Sequence, residues 1–355
     1  MKGLALNKRF YEKIVKPIIE KNFNVPYACG LLGPGSEVLG IDDLTSRDHN
    51  WGLRLFLFIR ETDQKLKDEI SDILSKKLIP EFEGHFTNWS EPAEDGSRSP
   101  IEPIGRINHR ILIYTPQEFV QLHFGVPDLE EISDEQWLLF SEQKLLEFTS
   151  GEIFHDSVGE ITALRERVKY YPDHIKYVLL IGEWQAIASE IAFSGRTRML
   201  YDEIGSHLIT CRLINRIMRI AFILENHYIP YAKWFGSQFI YLKLARELQP
   251  ILQNIISDAD WETRENGLLK CYLILADKMK VEGLLDIEIQ EEIYFDRPIK
   301  VINVWDLIAN LKTKIDSLLV KKYNWGSINQ IIPISDTIDD KMYLINLFQN
   351  LKLHN

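Results

Sequence analysis

Asp48 and Asn50 stand two residues apart behind a Gly-Ser pair, Gly35-Ser36, in the stretch "GLLGPGSEVLGIDDLTSRDHNWGLRLFLF". A carboxylate and an amide are both hard oxygen donors of the kind that hold Mg²⁺. A Gly-Ser turn leaves backbone N–H groups free, and such concave nests take phosphate oxygens. Side chains alternate along a strand. A strand starting near Asp48 would therefore put Asp48 and Asn50 on one face and turn His49, as a hydrogen-bonding residue, to the other. Together these groups suit phosphoryl chemistry, in which donors hold a polyphosphate and oxygen ligands hold a metal ion against it. The same residues also suit a plain polar loop in which Asp48 caps a turn.

Positioning such groups requires strands and helices around them, and the hydrophobic pattern supplies both. Residues 7–22 have helical spacing through Phe10, Ile14, Ile18 and Ile19. "YACGLL", "NWGLRLFLFI" and "INHRILIYT" read as strands, "DQKLKDEISDILSKKL" as a helix, and "PQEFVQLHFG" as a short helix beginning at Pro116. Residues 83–106 form a loop of a length that is usually functional or disordered. From Ser133 onward, spacings of three and four dominate, and the pair Ser133 and Gln136 forms a helix-start pattern. The fold class expected is α+β: a small mixed-sheet domain over 1–127, then an all-helical bundle over 128–355, with a cleft between them.

The series Gly35-Ser36, Gly40, Ser46, Asp48, Asn50 resembles the signature of the nucleotidyltransferase superfamily, which includes DNA polymerase beta and the antibiotic nucleotidyltransferases. The wider segments "SRDHNWG", "EQKLLEFTSGEIFHD", "YYP", "IAFSGR" and "YAKWFG" resemble a bacterial family of unassigned function within it. The resemblance implies that Gly35 and Ser36 touch nucleotide phosphates. It implies that Asp48 is a catalytic metal ligand and that Asn50 stands where a second carboxylate is usual. It further implies Mg²⁺ or Mn²⁺ and an NTP, ATP foremost, with an unknown acceptor. The third carboxylate of the superfamily has no counterpart in "INHRILIYT", which leaves Asp42, Asp43 and Glu102 as substitutes. The readings that follow are a nucleotidyltransferase, a degenerate nucleotide-binding or regulatory pseudoenzyme, and a protein-interaction module.

The helical half contributes further candidates. Tyr231, Lys233 and Trp234 suit a nucleotide, with phosphate on the ammonium and a base on a ring, or a Lys lying along core aromatics. Arg212, Arg216 and Arg219 share a helix face and suit either phosphates or pairing with acidic neighbours. Glu190 and Glu183 are candidates, by position only, for the general base that the resemblance implies in the helical domain, and they also read as ordinary solvated or paired glutamates. His155-Asp156 is similar to the HD pair of metal phosphohydrolases but lacks its companions, so it reads as a loop or capping pair. No Walker A, G-x-S-x-G or H-E-x-x-H sequence occurs.

Bulk properties bound these readings. The chain has 355 residues, 45% hydrophobic and 26% charged, as expected of a globular protein with room for two domains. Its net charge of −11, from 41 basic and 52 acidic residues, argues against general nucleic-acid or anionic-membrane binding and leaves room only for a local basic patch. The three cysteines, Cys29, Cys211 and Cys271, fit neither metal spacing nor a disulfide framework. With an N-terminus that turns amphipathic at once, they lead to the expectation of a cytoplasmic protein.

Overall fold

The segment "RLFLFI" is apolar at every position after its first, and as β2 (Arg54–Ile59) it is buried at every position. Such a run belongs in the middle of a sheet covered on both faces. In the computed structural model, which describes residues 2–47, 50–257, 260–323 and 326–332, β2 takes that place. The chain is mixed α+β, 54% helical and 10% strand, as the pattern predicts. It divides into two compact units: residues 1–132 with 144–169, and 133–143 with 170–355.

The first unit opens with α1 (Gly3–Phe10), a π-helical turn (Tyr11–Val15) and α2 (Lys16–Asn22), followed by β1 (Tyr27–Leu31) and β2. After α3 (Lys67–Lys77) come the two-residue strands β3 (Glu81–Phe82) and β4 (His85–Phe86), then β5 (Arg110–Tyr114) and α4 (Pro116–Phe124). The chain next forms α5 (Asp134–Leu139) and α6 (Glu142–Thr149), then β6 (Glu152–Asp156) and α7 (Glu160–Arg167). The main sheet has the order β5-β2-β1-β6. β1 is antiparallel to β2 and β6, whereas β2 and β5 are parallel, with Arg54 beside Arg110. One core cluster, including Leu6, Phe10, Ile19, Leu55, Leu57 and Leu74, gathers α1, α2, α3 and the sheet.

Two sequence expectations are corrected here. The second strand starts at Arg54, not near Asp48, because Asn50 takes a left-handed conformation (φ 56°) that no strand continues through. The division of the chain also does not fall at 127/128. β6 pairs with β1, which would otherwise be left with one open edge, and this carries residues 144–169 into the first unit. Gly151 sits at this return (φ 70°), and a Cβ there would meet the Leu31 carbonyl group. Gly151→Ala is therefore expected to lower stability by about 1–2 kcal/mol or more, read as a lower urea midpoint with an unchanged slope.

The second unit is mostly helical. Beyond α5 it contains α8 (Asp173–Glu190), α9 (Phe193–Met199), α10 (Glu203–Leu224), α11 (Ala232–Phe239), α12 (Ala245–Ser257) and α13 (Trp261–Val281). A small hairpin, β7 (Glu291–Ile293) with β8 (Lys300–Ile302), precedes α14 (Val304–Lys312), α15 (Ser317–Tyr323) and α16 (Ile328–Ile331). The Ser133–Gln136 capping box forms, but the helix ends at Phe140, which is extended (ψ 134°). α8 and α10 pack against each other, and Leu180, Trp184, Leu213 and Ile217 on them are fully buried. The Trp184 indole N–H donates to Met279 Sδ at 3.3 Å. Among the described residues, no helix is long and apolar enough to cross a membrane.

Candidate functional site

At the Gly-Ser turn, the parallel register of β2 and β5 decides which charges meet. It sets Arg54 beside Arg110 where both strands begin. Arg54 is buried: its Nε donates to Glu37 Oε1 at 2.6 Å and its Nη2 to the Pro34 carbonyl at 2.5 Å. The guanidinium thus underpins the loop that carries Gly35. Ser36 is spent inside the same loop, where its hydroxyl donates to the Ser46 carbonyl at 2.6 Å.

A third arginine reaches the same place from the long loop. That loop is ordered. Trp89 is buried and its indole N–H donates to the Leu53 carbonyl at 3.0 Å. Backbone bonds tie Trp89 to Asn108 and Ser90 to Ser99. Asn50 and Arg98 then exchange bonds: the Asn50 N–H donates to the Arg98 carbonyl, and the Arg98 N–H donates to Asn50 Oδ1, each at 3.2 Å. Arg110 also donates to Asn50 Oδ1, and its guanidinium lies 5.0 Å from the Trp89 ring.

Among the described residues, the charges here are unbalanced. Arg110 is pushed down to about 10, first by burial and then by Arg54 and Arg98 beside it, with Glu37 opposing. Neither Arg98 nor Arg110 has an acidic partner among the described residues: Glu37 is paired with Arg54, and Arg98 Nη1 donates to the Ser90 carbonyl at 3.3 Å. Half-buried, uncompensated guanidiniums present the charge and the forked donors that phosphate oxygens take up.

The metal site expected from the sequence fares differently. Asp48 and His49 lie outside the described residues. Asn50 does not project from a strand, and its amide oxygen, the atom that would ligate Mg²⁺, is held by Arg98 and Arg110. The substitute carboxylates are engaged as well. Asp42 accepts from the Gly3 N–H at 2.7 Å and from the Trp51 indole at 3.1 Å. Asp43 is held down to about 2 by hydrogen bonds from Thr45 and then Ser46. Glu102 is exposed. Among the described residues, no group of three or more His, Cys, Asp or Glu could hold a metal ion. The described residues therefore do not fit a two-carboxylate Mg²⁺ site.

In the second unit, the two sets of candidates prove to be each other's partners. Glu190 accepts from Arg212 Nε at 2.9 Å, and buried Glu183 accepts from Arg216 at 3.1 Å and Arg219 at 2.5 Å. Arg219 also donates to Glu142 at 3.1 Å. Lys233 is exposed over the Trp234 ring at 4.8 Å, and the Tyr231 N–H donates to Gln143 Oε1 at 3.0 Å. Asp156 caps the start of α7 through the Gly159 and Thr162 N–H groups, which agrees with the capping reading of His155-Asp156.

Glu37, Arg54, Arg98, Arg110 and Glu142 were not singled out from the sequence. Arg54 and Arg110 carried one usable signal, since each is a charge at the head of an apolar strand. Arg98 carried none, because only the folding of the long loop brings it to the site.

Residues 137–235 match a family model described as a domain of unknown function, DUF4037. No curated protein matches the chain. Among solved structures, the chain is similar to a nucleotidyltransferase-like protein from Exiguobacterium sibiricum 255-15. The identity is 6% and the TM-score 0.30, over 83% of this chain and 97% of that one.

Proposed function

We propose that the first unit binds a phosphate-bearing small molecule, a nucleotide foremost, through arginines rather than through a two-carboxylate metal site. Of the readings open at the level of sequence, this is the degenerate nucleotide-binding or regulatory one. The observation that carries it is the capture of Asn50 Oδ1 by Arg110 and by the Arg98 N–H. A carbonyl oxygen held by a cation and an amide is a poor ligand for a second cation. The same cation is well placed to meet an anion. Arg98 and Arg110 would contact phosphate oxygens, and Arg54 would hold the Gly-Ser loop behind them. The rival reading is Mg²⁺-dependent nucleotidyl transfer from an NTP to a small-molecule or protein acceptor. It rests on the Gly35-Ser36 and Asp48 resemblance, with Asp48 as the metal ligand.

Asn50→Asp separates the two, because they predict opposite signs. On the arginine reading, the new carboxylate pairs with Arg110 and repels phosphate, so ATP affinity falls about tenfold, or about 1.4 kcal/mol, with or without Mg²⁺. On the metal reading, the new carboxylate completes a Mg²⁺ site and affinity rises with the metal present. Arg110→Gln should weaken ATP by about tenfold or more, since a charge-assisted hydrogen bond contributes about 1.5–3 kcal/mol. Isothermal titration of ATP into the three proteins, with EDTA or with Mg²⁺, is the measurement. Tighter Mg²⁺-ATP binding by Asn50→Asp would overturn the proposal in favour of its rival.

A further inference from the structure

The second unit holds a cavity of about 370 Å³, within the range of small-molecule sites, and all of its lining residues belong to that unit. Its apolar lining includes Ile229, Pro230 and Phe235. Its polar lining includes Asn215, Arg216 and Glu142. Arg216 spends only Nη1, on Glu183 and the Gln330 carbonyl, at 3.1 and 3.2 Å. Its Nε and Nη2, and the Asn215 amide, make no hydrogen bond among the described residues. Glu142 accepts from Arg219 through Oε2, and its Oε1 accepts nothing among the described residues.

The charge balance of this wall selects the ligand. Arg216 and Arg219 are linked through Glu183, and Arg219 is linked to Glu142, so two guanidiniums offset two carboxylates. A lone anion would face the Glu142 carboxylate, with Glu183 buried behind the arginines, and a lone cation two guanidiniums. A zwitterion satisfies the open edge of Arg216 and the open oxygen of Glu142 together without adding net charge. We propose that this cavity binds an α-amino acid with an apolar side chain. Its carboxylate lies on Arg216 and Asn215, its ammonium on Glu142, and its side chain against Ile229, Pro230 and Phe235. The site is independent of the phosphate site proposed for the first unit.

The test uses the full chain and three probes of shared shape: L-phenylalanine, 3-phenylpropanoate without the ammonium, and phenethylamine without the carboxylate. Titration calorimetry should find phenylalanine bound and each truncated probe weaker by about tenfold or more. Arg216→Gln should weaken phenylalanine about tenfold and erase its advantage over phenethylamine. Glu142→Gln should erase its advantage over 3-phenylpropanoate. Ala232→Trp narrows the cavity without touching the ion network and should abolish binding of all three probes. If Glu142→Gln fails to fold, the other two variants carry the test. The proposal is overturned if the wild type shows no saturable binding of phenylalanine, if 3-phenylpropanoate binds as tightly as phenylalanine, or if Ala232→Trp binds as well as the wild type.

Discussion

Glu183→Ala should lower the unfolding free energy of the second unit by about 3–5 kcal/mol, the usual cost of removing one partner from a buried ion pair. Glu183 is fully buried and accepts from Arg219, Arg216 and the Gln330 side chain. Arg219 is itself 10% exposed at its side chain, so its charge cannot turn to water when the carboxylate goes. It would keep only Glu142, a carboxyl pushed up by burial against the pull of Arg219. Arg216, at 28%, has a route to solvent and should contribute less to the loss. Glu190, two turns along the same helix, supplies the control. Its partner Arg212 is 54% exposed, so Glu190→Ala should cost only about 0–1 kcal/mol. Chemical denaturation followed by fluorescence should separate the two, since Trp184 is buried next to Glu183. Near-equal costs for the two variants would mean that burial does not govern this network.

That pair of glutamates also shows what sequence can and cannot reveal. Both were visible as candidates, as was the arginine stripe on α10. Their mutual pairing was not, because spacing within a helix says nothing about which neighbour it meets. The antiparallel packing of α8 and α10 runs 183 toward 216 and 219 while 190 meets 212. In the first unit, β1, β2 and β5 were legible because their apolar runs are short and bounded by turn residues, whereas β6, whose side chains are only half-buried, was not. The helix at Pro116 was legible for a similar reason: Thr115 and Glu118 form its capping box. The start of β2 was not legible. Asn50 bends out of the strand to meet Arg98, which is 48 positions away, and no local propensity encodes that. The arginine cluster was hidden for the same reason: Arg54 and Arg110 adjoin only through a parallel register that a crossover must first create.

Arg54→Met should be comparably costly, about 3–5 kcal/mol, for it strands Glu37, which is 1% exposed. It should also loosen the Gly-Ser turn, because the Pro34 carbonyl loses its donor. Gly35 (φ 147°) leaves no room for a Cβ beside Arg54 and Glu37, so this turn is built around their pairing. Replacing both partners with apolar residues of similar size, Glu37→Leu with Arg54→Met, should recover most of the loss, as it does for many buried pairs. Glu37→Gln tests function as well as stability. It should destabilise by about 1–3 kcal/mol, because a charged acceptor becomes a neutral one. On the phosphate-binding reading it should tighten ATP several-fold, because Glu37 neutralises Arg54 and its charge also acts on Arg110. The two effects have opposite signs, which a purely structural pair would not produce. Denaturation midpoints and ATP titrations on the same preparations measure both. Loss of stability together with weaker ATP binding in Glu37→Gln would mean that the pair only shapes the loop, and that the charge surplus at Arg98 and Arg110 does not serve an anion.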